Sequence, residues 1–237
     1  MRLDRAAALS GLTRSEAKKA IAAGRVRVDG QVVRDCAARV EPAQVRVDGL
    51  EPPGTGELYI MVNKPAGVVT ATEDSRWPTV VQLLPENLRR RGLGPVGRLD
   101  RDVTGLVLLT TDGQLAHRLI SPKWKAEKLY RAECAGRLGE AEVQAFAAGV
   151  ALSDFTARPA RLVIRAAGEE ASTADVALTE GKFHQVKRMF EAVGHPLTSL
   201  ERLSIGGVAL DAALARGAWR PLEAAEVARL KALCDME

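Results

Sequence analysis

Apolar and polar positions along this chain change period several times, and the changes predict its elements. Residues Leu3–Leu9 and the stretch after Thr13 carry apolar side chains at helical spacing. Thr13-Arg14-Ser15-Glu16 has the form of a capping box, in which hydroxyl and carboxylate satisfy the first free amides of a helix. That helix is predicted to reach about Ala23 and stop at Gly24, with Gly11 at the turn before it. Val26-Arg27-Val28-Asp29-Gly30-Gln31-Val32-Val33 then alternates around an Asp-Gly pair, which signals a hairpin. Two helices and a hairpin make a small module over 1–50. Leu50-Glu51-Pro52-Pro53-Gly54-Thr55-Gly56 reads as a domain boundary, so 51–57 is expected to be a linker and 58–237 a larger domain. There, strands are predicted at 58–62, 106–110, 129–134, 162–165, 174–179 and 203–209, with Val68-Val69-Thr70 also extended. Helices are predicted at 113–120, 140–148, 182–193 and 223–233. The elements mix without strict βαβ alternation, which points to an α+β fold with a mixed, largely antiparallel sheet flanked by helices.

Charge sharpens this division. Residues 1–50 hold ten Lys or Arg against six Asp or Glu, so the chain's whole excess of +4 lies in its first fifth. A basic module attached to a neutral body calls for a polyanionic partner. On the second helix Arg14, Lys18 and Lys19 share a face, joined by Arg25 at its end. The module has no aromatic side chains, which argues against base stacking as its mode of binding. Composition otherwise describes an ordinary globular protein, 46% hydrophobic and 27% charged over 237 residues. No apolar run nears the roughly 20 residues needed to cross a bilayer, and the start lacks a secretory pattern, so a cytoplasmic protein with no membrane partner is expected. Cys36, Cys134 and Cys234 are widely separated, and His117, His184 and His195 form no close pair; reduced thiols and no metal site are expected. No glycine-rich phosphate fingerprint occurs, so no nucleotide cofactor is implied.

The candidate chemistry centres on Gly97-Arg98-Leu99-Asp100-Arg101-Asp102-Val103-Thr104-Gly105, followed at once by Leu106-Val107-Leu108-Leu109. A carboxylate on a surface loop would be solvated or would bond to nearby amides. Beside a fully buried strand, and matched with a cation, Asp100 would stay ionised and dry enough to react. Asp102 is too near in sequence to reach the opposite face of a sugar, which weighs against a two-carboxylate glycoside hydrolase.

Three more segments fall in order around this loop: Asn63-Lys64-Pro65-Ala66-Gly67, Glu127-Lys128-Leu129-Tyr130, and Gly181-Lys182-Phe183-His184-Gln185-Val186-Lys187-Arg188-Met189-Phe190. Together they resemble the pseudouridine synthases. Arg2-Leu3-Asp4, Ser15-Glu16-Ala17-Lys18 and Gly24-Arg25-Val26-Arg27-Val28-Asp29-Gly30 resemble the S4-type RNA-binding domain. That combination, with His184-Gln185-Val186-Lys187, is similar to the ribosomal small-subunit (RsuA) branch. The resemblance implies isomerisation of uridine to pseudouridine in small-subunit (16S) ribosomal RNA. It implies no cofactor, because the reaction moves a base from N1 to C5 linkage without gain or loss of atoms. Asp100 takes the catalytic role, Lys187 the role of its cationic partner and Tyr130 that of the aromatic face against the uracil, while Arg98 helps to hold the flipped nucleotide. The RNA contacts are expected at Arg2, Arg5, Arg14, Lys18, Lys19, Arg25 and Lys128, the last within a basic segment, 114–131, beside the site. Ribosomal RNA, within a partly assembled small subunit, is the implied partner of a monomeric enzyme. The same reaction on large-subunit (23S) RNA, and a non-catalytic RNA-binding or ribosome-assembly role, remain alternatives at this point.

Overall fold

A computed structural model describes residues 1–10, 12–49, 57–89 and 92–236. Gly11 and nearly all of the expected linker therefore lie outside the described residues. The chain divides into two units, one of Met1–Leu58 with Leu84–Leu93, the other of Tyr59–Leu83 with Gly94–Glu237.

In the first unit α1 (Leu3–Ala8) and α2 (Arg14–Ala22) precede β1 (Val26–Val28), β2 (Gln31–Val32) and β3 (Val45–Val47), which pair antiparallel in the order β2-β1-β3. The expected capping box is formed: Thr13 N–H donates to Glu16 at 2.7 Å and Glu16 N–H to the Thr13 hydroxyl at 3.3 Å. Asp29 and Gly30 both take positive φ, 48° and 82°, the two left-handed positions of a type I′ turn. The third strand is an addition to the sequence reading. Its apolar residues Val45 and Val47 pack with Leu3, Ala6, Ala17, Ile21 and Val26 into one core.

The second unit is built from β4 (Tyr59–Lys64), β5 (Gly94–Pro95), β6 (Thr104–Thr110), α3 (Gly113–Ile120), β7 (Lys128–Ala135), α4 (Glu140–Ala148) and β8 (Arg161–Ala167). Then follow β9 (Ala171–Leu178), α5 (Gln185–Ala192), β10 (Leu197–Ile205), β11 (Val208–Ala209), β12 (Trp219–Pro221) and α6 (Ala224–Leu233). The sheet runs β12-β4-β6-β10-β7-β9-β8, with β5 on β6 and β11 on β10. Every pairing is antiparallel except β6 with β10, so the sheet is mixed and largely antiparallel as expected. Leu106 and Leu108 pack with Leu115, Leu119 and Leu230 against α3 and α6, while the intervening Val107 and Leu109 are equally buried. Burial on both faces is why the sequence of β6 shows no alternation.

Three local expectations change. Residues 203–209 are not one strand: β10 starts at Leu197 and turns through Gly206-Gly207 into β11. The expected helix 182–193 begins only at Gln185, because His184 adopts φ 50°, ψ 27°, a left-handed conformation that cannot continue a helix. Val68-Val69-Thr70 contributes one isolated bridge, Val69 to Thr79. Gly105 has φ 99°, and a Cβ there would lie 2.3 Å from the Arg202 carbonyl oxygen, so only glycine lets β6 approach β10 at the exit of the Asp100 loop. Among the described residues no helix is long and apolar enough to cross a membrane.

Candidate active site

The loop before β6 is held from below by a lysine. Lys64, at the end of β4, is fully buried, and its Nζ donates to the carbonyls of Pro65 (2.9 Å), Arg101 (3.1 Å) and Val103 (2.7 Å). Burial pushes Lys64 down to about 8, although Asp102 and Asp100 pull it the other way. Gly67 N–H adds a 2.8 Å bond to the Arg101 carbonyl. The Thr70 hydroxyl donates to the Leu99 carbonyl (2.8 Å) and accepts Leu99 N–H (3.1 Å). The backbone on both sides of Asp100 is thus fixed by Lys64, Gly67 and Thr70, and its carboxylate is left to side chains.

Those side chains come from α5 and the turn before it. Lys182 N–H donates to Gln185 Oε1 at 2.9 Å, which closes the turn, and buried Val186, Met189 and Phe190 seat the helix. Lys187 Nζ then lies 3.1 Å from Asp100 and donates to both oxygens of Asp102 at 2.8 Å. His184 Nε2 is 3.4 Å from Asp100, and its ring stacks on that of Phe183 at 3.8 Å. Burial raises the Asp102 carboxyl, but the Lys187 ammonium outweighs it and holds the group below the usual range. Burial lowers Lys187, but its bonds to Asp102 and Asp100 hold it above the usual lysine range. One ammonium bridging two carboxylates is point-charge contact, without the bidentate geometry an arginine would impose.

Asp100, Tyr130, Lys128, Arg98 and Arg202 line one pocket of about 1050 Å³. Tyr130 is 7% exposed, on a strand whose alternate residues Lys128, Tyr130, Ala132 and Cys134 are buried. Arg98 is exposed at its edge. Arg101 stacks on Trp77 at 3.8 Å, so it faces away from a role in the carboxylate cluster. The arrangement offers a carboxylate with a fixed counter-charge in a pocket shared with an aromatic side chain.

The expected RNA contacts are distributed unevenly. Arg5, Arg14, Lys18 and Lys19 are exposed on α1 and α2. Arg2 and Arg25 are exposed but paired, with Asp4 (3.2 Å) and with Asp48. Lys128 corrects the sequence reading: it is 7% exposed and its Nζ donates to the Ala126 carbonyl at 2.9 Å, so it presents no surface charge to a phosphate. In the same basic segment Arg118 bonds to the Cys234 carbonyl (2.6 Å) and Arg131 to Asp175 (2.9 Å). The sequence reading also missed Lys64, the contact of His184 with Asp100, and the share of Asp102 in binding Lys187.

Comparison with known proteins gives the family. Residues 58–192 match the RNA pseudouridylate synthase family and residues 1–49 match the S4 domain. The chain belongs to the RNA pseudouridylate synthase family and carries an S4 domain. It is 43% identical to an uncharacterized RNA pseudouridine synthase of Bacillus subtilis (96% of this chain, 97% of that one). It is also 43% identical to the ribosomal small subunit pseudouridine synthase A of Pseudomonas aeruginosa (96% and 99%). A solved pseudouridylate synthase structure superposes with TM-score 0.69 at 37% identity, covering 97% of this chain and 99% of that one.

Proposed function

We propose that this RNA pseudouridine synthase converts a uridine of small-subunit ribosomal RNA to pseudouridine, with Asp100 as its catalytic carboxylate. The observation that carries the reading is the convergence of Lys187 and His184 on Asp100, at 3.1 and 3.4 Å, in a pocket shared with Tyr130. The full-length likeness to a relative named for small-subunit RNA supports the choice of substrate.

In this reading a uridine leaves its stack and enters the pocket, and the Tyr130 ring recovers part of the stacking lost. Asp100 acts at the sugar, by attack on C1′ or by aiding loss of a ribose proton, and Lys187 keeps a positive charge against it throughout. The C1′–N1 bond breaks, the base turns, and C5 bonds to C1′ as the Asp100–C1′ bond breaks or the ribose regains its proton; the C5 proton is then lost and N1 gains one. Arg98, at the pocket edge, holds the displaced nucleotide. The S4 module over 1–50 supplies affinity through Arg5, Arg14, Lys18 and Lys19, with Arg2 and Arg25 exchanging their local carboxylates for phosphate, while 58–237 does the chemistry. The enzyme works as a cytoplasmic monomer on RNA within a partly assembled small subunit.

Release of tritium from RNA labelled at uridine C5 tests the reading, because C5 loses its hydrogen only if it becomes the point of attachment. Release is expected from small-subunit RNA, bare or with its proteins, and not from large-subunit RNA. Release from large-subunit RNA alone would overturn the substrate assignment, and no release from any preparation would overturn the activity.

A further inference from the structure

Lys128 and Arg202 are buried cations with no carboxylate partner among the described residues. Lys128 is 7% exposed and bonds to the Ala126 carbonyl at 2.9 Å. Arg202 is 2% exposed; its Nε donates to the Leu106 carbonyl at 2.8 Å, and its Nη2 is buried without a partner. Isolated buried charge is costly; the buried Asp175 of the same unit, by contrast, takes both Arg131 and Arg165.

The sheet brings the two cations together at the pocket. Lys128 and Tyr130 are two residues apart on β7 and so share a face, and Arg202 on β10 stands directly opposite Tyr130. All three line the pocket that also contains Asp100. Desolvation, with the neighbouring Arg202 charge, lowers Lys128 only to about 8, so it is mostly protonated at neutral pH.

What such a floor would serve follows from the reaction, on the reading that uridine is the substrate. When C1′–N1 breaks, the bonding pair stays on N1, and the detached uracil is an anion with its charge spread over N1 and the two carbonyl oxygens. The charge lasts until C5 bonds to C1′; the loss of the C5 proton and the gain of one at N1 that follow leave the net charge unchanged. We infer that Lys128 and Arg202 form a cationic floor to the pocket that stabilises the detached uracil anion. Fixed charges that match one arising only along the reaction act on the rate rather than on binding. A carboxylate partner would cancel that field, which accounts for the missing counter-charge.

The test compares Lys128→Met with the native enzyme in single-turnover reactions on two RNAs, one with uridine and one transcribed with 5-fluorouridine. Fluorine makes the base more acidic, so its anion needs less help. The variant is expected to lose about 10- to 100-fold in rate on uridine, read by tritium release. Its loss on 5-fluorouridine, read as disappearance of the N-linked nucleoside, should be several-fold smaller. RNA affinity should stay within about twofold, because the interaction is one of the transition state. Lys128→Arg, which keeps the charge, should recover most of the rate. Equal losses on both RNAs would mean a structural role and overturn the proposal, as would an unchanged rate. A rate loss matched by lost RNA affinity would mean a phosphate contact and overturn it too. If Lys128→Met does not fold, Lys128→Gln carries the same comparison. Absence of turnover by the native enzyme would instead overturn the functional reading itself, before any variant is measured.

Discussion

The two units of this protein use the same side chains under opposite conditions. In the N-terminal unit Arg5, Arg14, Lys18 and Lys19 stand in solvent, and Arg2 pairs with the buried Asp4. In the larger unit Lys64, Lys128 and Arg202 are 0%, 7% and 2% exposed and bond to backbone carbonyls. A solvated cation exchanges counterions for phosphate and contributes affinity that salt removes. A desolvated one acts over a short distance at full strength, and its position is fixed by the packing around it. On the proposed function, holding RNA falls to the exposed cations and reacting with it to the buried ones.

Substitutions in the larger unit should have the largest effects. Lys187→Ala removes the counter-charge of Asp100 and is expected to lower turnover by about 10²- to 10³-fold with RNA affinity retained. Asp102→Asn, which leaves Lys187 on Asp100, should cost less than about tenfold. A reversed order in tritium-release assays would shift the key partnership from Asp100 to Asp102. Lys64→Met leaves the Arg101 and Val103 carbonyls short of a donor. We expect a loss of about 2–4 kcal/mol, offset in part by relief of a buried charge. Thermal unfolding should show it as a fall in Tm of about 5–10 °C, and an unchanged Tm would mean that the loop holds itself.

At the solvated end, effects should be smaller and depend on salt. Arg14→Glu with Lys18→Glu should weaken RNA binding and reduce the slope of log K against log salt by roughly 0.7–0.9 per lost contact. An unaltered slope would remove this face from the RNA interface. The smallest effect is in stability against pH. Lys128 sits at about 8 in the fold and near its ordinary 10.5 when unfolded. Between those values the unfolded chain holds more protons, so this group's contribution to stability rises with pH, by at most about 1.4 kcal/mol per unit. Denaturant unfolding of the native protein and Lys128→Met at pH 7.5 and 9.5 should show the difference moving in favour of the native protein at the higher pH.

How much was legible in the sequence depends on how local the cause was. The capping box at Thr13 and the turn at Asp29-Gly30 are set by neighbours in the chain and were read directly. Asp100, Tyr130 and Lys187 came from motif order, which records spatial partners without showing the contact. Lys64 lies within a motif, but its task is not legible there, because a lysine at a strand end normally turns to water. Its task is set by the carbonyls of a loop nearly forty residues away in sequence. Lys128 falls among nearby cations in sequence, yet it is in phase with Tyr130, Ala132 and Cys134 on β7, and that alternation is the signal for burial. The start of α5 was lost because the left-handed His184 interrupts a sequence that otherwise continues the helical period.

The central claim is that Asp100 carries the isomerisation of a small-subunit uridine, and its most direct test is tritium release by native protein and Asp100→Asn side by side. We expect release by the native enzyme, none by the variant, and equal RNA affinity for both, since the amide removes charge and little else. Turnover retained by Asp100→Asn would contradict it.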